Sequence, residues 1–370
     1  MDFVLAVFVL ISALYSLLSI IAAHRYLAVR LPVLGATAPV SILKPLAGLD
    51  RDIESNLRTF FEQDYPSFEI LFALRDPRDP ALAVVEKLRR EYPQVPSRVL
   101  ITGEPLYANP KVYSLDRLLA AAAHDLLVMS DSDTRVTPAM LRTIAAEFQD
   151  ERVGIATCPY RAVPGRRFWS KLEATGMNAD FMGGILVARM LEGMRFAVGP
   201  TIAARRRVLA AIGGFARLKD FLAEDYQMGR LAFDAGHGVI LSSYVIEHHI
   251  AAPSLVATIA HRLRWLRSTR RSRPAGYLGQ FFTMTTPLAA LLLLAGVRWW
   301  PLAAVALACR IVAAYTVGWR VLRARNFWLL LPVEDLAGFV FWIAGFFGRT
   351  IVWRGARYQL QPDGRLAPIK

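Results

Sequence analysis

Cysteine is nearly absent from this chain. Cys158 and Cys309 are the two present, far apart in sequence, and neither belongs to a CxxC pair. A disulfide framework and a thiolate zinc site are thereby excluded as organising devices. His237, His248, His249 and His261 fall at no HExxH spacing, so a zinc centre is not expected. No GxxxxGKS/T occurs and no GxGxxG follows a strand, which leaves ATP and dinucleotide chemistry without a phosphate cradle. Acidic residues are also scarce: Asp+Glu 30 against Lys+Arg 44, a net charge of +14. Such a charge suits either nucleic acid or an anionic membrane surface. The basic clusters abut apolar runs, which favours the membrane and speaks against nucleic acid.

Apolar residues are what the chain has in excess. Of its 370 residues 55% are hydrophobic, yet 20% are charged and these concentrate in the middle. That pattern expects a soluble domain between membrane segments. Residues 3–23 form an uncharged, mostly apolar run of about 20 residues, the length of a bilayer span. Met1-Asp2 offers no basic n-region and the run exceeds a typical signal core, so residues 1–25 read as an uncleaved anchor. His24, Arg25 and Arg30 follow, placing the next segment in the cytoplasm. Residues 281–297 and 301–318 are two more runs, divided by Arg298-Trp299-Trp300 as in a hairpin with interfacial aromatics. Residues 327–347 are apolar but interrupted by Pro332, Glu334 and Asp335. A span, a re-entrant segment and an interfacial helix all fit. The expected division is an anchor (1–25), a cytoplasmic domain (37–275), transmembrane or interfacial helices (280–352) and a C-terminal tail (353–370).

Within the middle region short strands alternate with helices of ten or so residues. Strands are expected at 39–46, 69–74, 98–101, 126–129, 153–157, 196–204 and 238–243, with helices over 52–62, 81–91, 110–123, 205–212, 222–235 and 254–273. This is the pattern of βαβ units and a mainly parallel, Rossmann-like α/β sheet. Residues 166–190 suit either a core helix or one on the membrane surface.

Leu126 to Met129 is an apolar run too short for a helix and reads as a buried strand. Asp131 and Asp133 follow at its C-terminal end, where open α/β sheets bind ligands. If the chain turns there, both carboxylates converge on one ligand. An acidic pair so placed suits a hard divalent cation completed by substrate phosphates. Asp76, just past the second strand, can face the same cleft. Glu224 and Asp225 open a later helix, where acids also favour the helix dipole. The helix over 254–273 carries His261, Arg264 and Trp265 among its basic residues.

This order and spacing resemble GT-A glycosyltransferases that modify lipids, and are most similar to the ceramide glucosyltransferase family. The similarity runs through Val40-Ser41-Ile42-Leu43-Lys44-Pro45-Leu46, Phe60-Phe61-Glu62-Gln63-Asp64-Tyr65-Pro66, Asn109-Pro110-Lys111, Asp131-Ser132-Asp133, Ala223-Glu224-Asp225-Tyr226 and Trp353-Arg354-Gly355-Ala356-Arg357-Tyr358. It covers nearly the whole chain. One departure is His261 at the first position of the family's (Q/R)xxRW pattern; Arg264 and Trp265 are intact. The segment 252–277 looks more like the family's bacterial hopanoid branch.

The resemblance implies a UDP-sugar donor, UDP-glucose or UDP-N-acetylglucosamine, and a membrane lipid acceptor, ceramide or a hopanoid. It implies Mg2+ or Mn2+ on Asp131 and Asp133, inversion, and Asp225 as base with Glu224 as its rival. Asp76 would accept from uracil or ribose. Lys111, Arg264 and His261 would lie against donor or acceptor, and Trp265 would wall the acceptor side. The expected location is a bacterial inner membrane, multi-pass, with the catalytic domain cytoplasmic. Two rivals stand beside this reading: a polymerising synthase, which needs more spans, and a membrane-tethered binding module without turnover.

Overall fold

In the computed structural model the described residues are 2–251, 254–325, 328–353 and 356–369. Ala252, Pro253, Phe327, Arg354 and Gly355, each in a stretch singled out above, lie outside them. The first apolar run folds as one helix, α1 (Asp2–Leu27). Its buried stripe is small, with Ala6, Val9, Ser12, Ala13, Ser16, Ser19, Ala22 and Ala23, while Phe3, Leu10, Leu14, Leu17 and Ile21 face outward. Small residues let helix backbones approach closely where lipid gives no hydrophobic drive.

The α/β domain follows. Its first half runs β1 (Val40–Pro45), α2 (Ile53–Phe61), β2 (Phe68–Leu74), α3 (Ala81–Glu91), β3 (Ser97–Ile101), α4 (Pro110–Ala121) and β4 (Leu126–Ser130). Then come β5 (Thr134–Arg135), α5 (Met140–Glu147), β6 (Val153–Thr157), β7 (Tyr160–Val163), α6 (Phe168–Gly176) and α7 (Met182–Glu192). The domain ends with β8 (Thr201–Arg205), α8 (Arg206–Ala211), α9 (Glu224–Asp234), β9 (Gly238–Leu241), β10 (Ile246–His249) and α10 (Leu255–Ser272). Seven strands form the main sheet in the order β3-β2-β1-β4-β8-β6-β9. All pairings are parallel except those of β8, which runs antiparallel to β4 and β6. The strand expected over 196–204 is confined to Thr201–Arg205, because Val198 and Thr157 bond through a side chain and Gly199-Pro200 turn the chain.

A second sheet, β5-β10-β7, was not expected from sequence. Its strands are two to four residues long, too short for a periodic signal. It nevertheless sets one wall of the site, because the His249 N–H donates to the Asp133 carbonyl (2.7 Å).

Much of 170–190 packs into the core, while Arg166, Arg167 and Phe168 at its start are exposed. α6 and α7 join through a π-helical turn, Met177–Phe181, and bury Leu172, Ala174, Met177, Met182, Ile185 and Leu186. The wide turn sets Asp180 against Arg310 and Phe181 against Trp265.

The C-terminal region holds α11 (Pro274–Gly279), α12 (Thr285–Ala295), α13 (Trp300–Tyr315) and α14 (Leu331–Ala344). Two helical stretches, Asp2–Leu27 and Val297–Val321, are long and apolar enough to cross a membrane. Pro274–Thr283 and Thr285–Ala295 would make a third only as a pair bent by 55°. α14 has 14 residues and is about 21 Å long, short of the ~30 Å hydrocarbon core. Its two acids are buried in ion pairs: Glu334 with Arg262 of α10 (2.7 Å) and Asp335 with Arg310 of α13 (2.6 Å). Residues 350–353 and 356–369 fold onto the domain as a three-stranded antiparallel sheet, β11 (Thr350–Trp353), β12 (Ala356–Leu360) and β13 (Leu366–Pro368), packed on Ala108 and Leu222.

Candidate active site

β4 lies between β1 and β8 with all five residues buried. After Ser130 the chain turns, and the Thr134 hydroxyl donates back to the Asp131 carbonyl (2.6 Å). The turn is the condition under which Asp131 and Asp133 converge. Lys44, at the end of β1, lies beneath it, fully buried. Its Nζ donates to the Asp131 carbonyl (2.6 Å) and sits 3.7 Å from the centre of the Phe60 ring. Burial pushes Lys44 down to about 7, against the pull of the carboxylates around it. Sequence reading missed Lys44. The signal was available: it shares a strand face with Ile42, two residues away, so it had to point into the domain.

Lys111 joins two acids. Its Nζ is 2.8 Å from Asp131 Oδ1 and 2.9 Å from Glu224 Oε1. The position is built locally. Asn109 caps α4, its Oδ1 accepting from the N–H groups of Lys111 (3.0 Å) and Val112 (3.2 Å). Its Nδ2 donates to the Phe221 carbonyl (2.8 Å), tying α4 to the loop before α9. Burial alone would lower Lys111, but Asp131 and Glu224 hold it well above the usual lysine range. Glu224 is thus committed to Lys111 and Asn109, which weakens it as a rival base.

Asp133 is half-buried, and its Oδ1 is buried with no hydrogen-bond partner in the structure. The nearest cationic candidate is His248 Nδ1 at 3.6 Å, itself without a partner. Burial raises the Asp133 pKa. A buried carboxylate oxygen left unpaired is costly, and a bound cation would relieve it. Among the described residues no group of three or more His, Cys, Asp or Glu could hold a metal ion. Two carboxylates, Asp131 and Asp133, are a donor set compatible with Mg2+ or Mn2+ only where phosphate and water complete the shell.

Asp225 stands in the first turn of α9, and its Oδ1 accepts from the Tyr226 N–H (2.7 Å). A Cβ added to Gly199 would lie 3.0 Å from Asp225 Oδ2, so only glycine fits comfortably there. The next residue, Pro200, accepts from the Asp131 N–H (2.9 Å). One short loop thus touches both acids. Burial first, then the Glu224 charge, pushes Asp225 up to about 7, while Lys111 pulls the other way.

α10 carries the remaining group. The His261 and Trp265 rings are 5.1 Å apart, one helical turn from each other. From Trp265 a row of rings leads back to the acidic turn: Phe181 (5.5 Å), Tyr160 (5.5 Å from Phe181) and His248 (5.5 Å from Tyr160). Arg264 lies half-buried on the same helix. His261 Nδ1 is hydrogen-bonded to Glu173 of α6. Asp76 follows the end of β2, on the far side of β1 from the acidic turn. Its carboxylate is bound by Arg78 (2.6 and 3.0 Å), which holds it down to about 2.

The chain matches the family model for glycosyl transferase family 21 over residues 4–366. Ceramide glucosyltransferase 1 of Caenorhabditis elegans is 26% identical over 230 residues, 62% of this chain and 49% of that protein. The ceramide glucosyltransferase of Komagataella phaffii is 33% identical over 142 residues, 37% of this chain and 28% of that protein. The chain spans about half the length of the first of these relatives and less of the second. A mannosyltransferase from Pyrobaculum calidifontis, solved with GDP-Man and Mn2+, superposes with a TM-score of 0.54 at 20% identity. That likeness covers 92% of this chain and 98% of the other, and it shows the fold to be GT-A. With a family match over nearly its whole length and this α/β architecture, the chain belongs to glycosyl transferase family 21.

Proposed function

We propose that this chain is a membrane-embedded glycosyltransferase. It moves a hexose from UDP-glucose or UDP-N-acetylglucosamine to a hydroxyl of a membrane lipid, ceramide or a hopanoid, inverting the anomeric carbon. The observation that carries this reading is the half-buried Asp225 carboxylate at the start of α9. It is raised to about 7 and joined through one loop to the acidic turn with its unpaired Asp133 oxygen.

Transfer develops negative charge on the departing diphosphate, and stabilising that charge is the main catalytic task. Asp131 and Asp133 would hold Mg2+ or Mn2+, which supplies Lewis-acid stabilisation there. Arg264 brings a guanidinium whose planar fork matches phosphate oxygens. Lys111, already between two carboxylates, keeps Asp131 oriented and brings a cation beside the phosphates. Asp76 accepts from the uracil ring or a ribose hydroxyl. Trp265 and His261 form the acceptor wall.

Asp225 takes the proton of the attacking hydroxyl. A base near the working pH is present in ionised form and still basic enough to draw a proton, a combination that contributes roughly 10²–10⁴-fold. Attack in one in-line displacement inverts the centre. The domain lies on the cytoplasmic side of a bacterial inner membrane, with α10 bound to the membrane helices through the Arg262–Glu334 pair.

Mass spectrometry of membranes supplied with each UDP-sugar, Mg2+ or Mn2+, and ceramide or bacteriohopanetetrol tests the reading. A hexosylated lipid is the expected product, and its mass names donor and acceptor. No product from any pair, with UDP still bound, would favour the binding-module rival. Asp225→Asn is expected to abolish transfer and leave UDP affinity unchanged; retained transfer would remove Asp225 as the base.

A further inference from the structure

We propose that Glu173 is a positioning residue for His261, and that the pair serves recognition of the lipid acceptor. This deepens the glycosyltransferase reading above and rests on it. His261 stands where the family pattern has Gln or Arg. Those side chains are long and carry several donors of their own, whereas an imidazole is short and works only when its ring is correctly turned. The structure supplies the device that turns it. Glu173, on α6, is buried with a side chain 5% exposed, and its Oε1 meets His261 Nδ1.

An ionised carboxylate only accepts hydrogen bonds, so Nδ1 carries the proton and donates. That fixes the ring plane and leaves Nε2, on the 30% exposed imidazole, as the atom offered to a substrate hydroxyl or amide N–H. Trp265 packs one turn further along, so the ring is held on two sides. Arg262 is paired with Glu334 of α14, and Arg310 of α13 with Asp335 and Asp180. Phe181, Tyr160 and His248 stand between this pair and Asp133, which puts His261 at the acceptor end of the row and away from the diphosphate end.

The test uses the full chain in detergent or nanodiscs, with transfer kinetics, UDP affinity and thermal melting measured on Glu173→Met, Glu173→Gln, His261→Ala and the Glu173→Met/His261→Ala double variant. Misplacing a substrate-positioning group costs up to about 10²-fold in rate. His261→Ala is expected to lose rate on that order, and Glu173→Met, near-isosteric but without an acceptor oxygen, most of the same factor. Glu173→Gln keeps an oxygen for Nδ1–H and should lose less. The double variant should be no slower than His261→Ala, because Glu173 acts through the ring. UDP affinity should stay within about twofold throughout.

A Glu173→Met loss that persists undiminished without His261 would overturn the proposal. So would UDP affinity falling in step with rate. Should Glu173→Met not fold, Glu173→Gln decides: a loss as large as that of His261→Ala overturns the proposal, and retained rate supports it. Wild-type protein inactive with every donor and acceptor would instead defeat the glycosyltransferase reading, and this proposal with it.

Discussion

Burial and the Glu224 charge push Asp225 up to about 7, while Lys111 pulls it down. Below that value the carboxylate is protonated and cannot accept the proton of an attacking hydroxyl. The rate of transfer should therefore fall as pH drops through about 7 and level off above it, read from kcat/KM across pH 5 to 9. Lys111→Met removes the cation that favours ionised Asp225, so the acid limb should move to higher pH. A limb that stays in place would mean Asp225 is not the group being titrated. The places of Asp131 and Asp133 after a strand and of Asp225 at a helix start were legible in the sequence. Asn109-Pro110-Lys111 was legible as a helix start, and what Lys111 does there was not. Lys44 and Asp131 lie 87 residues apart, and Glu173 and His261 lie 88 apart. No periodicity in a single chain pairs groups at such separations.

Elements meet at places where a single atom matters. Gly229 in α9 packs on the backbone of Phe196 and Ala197, and an added Cβ would collide with main-chain atoms. Gly229→Ala should push α9 outward and displace Asp225 with it. The expected cost is about 1–3 kcal/mol, seen as a lower melting temperature, together with reduced kcat. Wild-type kcat and melting temperature would show that the helix yields freely. At the other face Arg310 of α13 binds both Asp335 of α14 (2.6 Å) and Asp180 of the π-helical turn (2.5 Å). Arg310→Met strands the buried Asp335 carboxylate and unpairs the part-exposed Asp180, and breaking a buried pair costs about 3–5 kcal/mol. Melting in detergent should drop accordingly. Sequence showed the acids of α14 as interruptions in an apolar run and left its placement open. The structure resolves them as ion pairs, because three elements distant in sequence converge on that spot.

At the scale of the molecule, α1 packs on α7, α12 and α13, so the first and last thirds of the chain share one helical bundle. The topology expected from charge places Val33, after α1, and Val297, between α12 and α13, on opposite sides of the bilayer; both side chains are well exposed. Single cysteines there, Val33→Cys and Val297→Cys, should react with an impermeant maleimide from opposite sides of sealed vesicles. Cys158 is buried and gives little background. Labelling of both from one side would overturn the hairpin. The sequence by itself determined the α/β alternation, the apolar segments long enough for a bilayer and the acids at element ends. Each of these is local, a matter of period, length and the residue that stops an element. Tertiary packing set that most of 170–190 enters the core, that β8 runs antiparallel, that Glu224 pairs with Lys111 and that Glu173 meets His261. Those depend on which surfaces close on one another, and burial sets that choice across the whole chain at once.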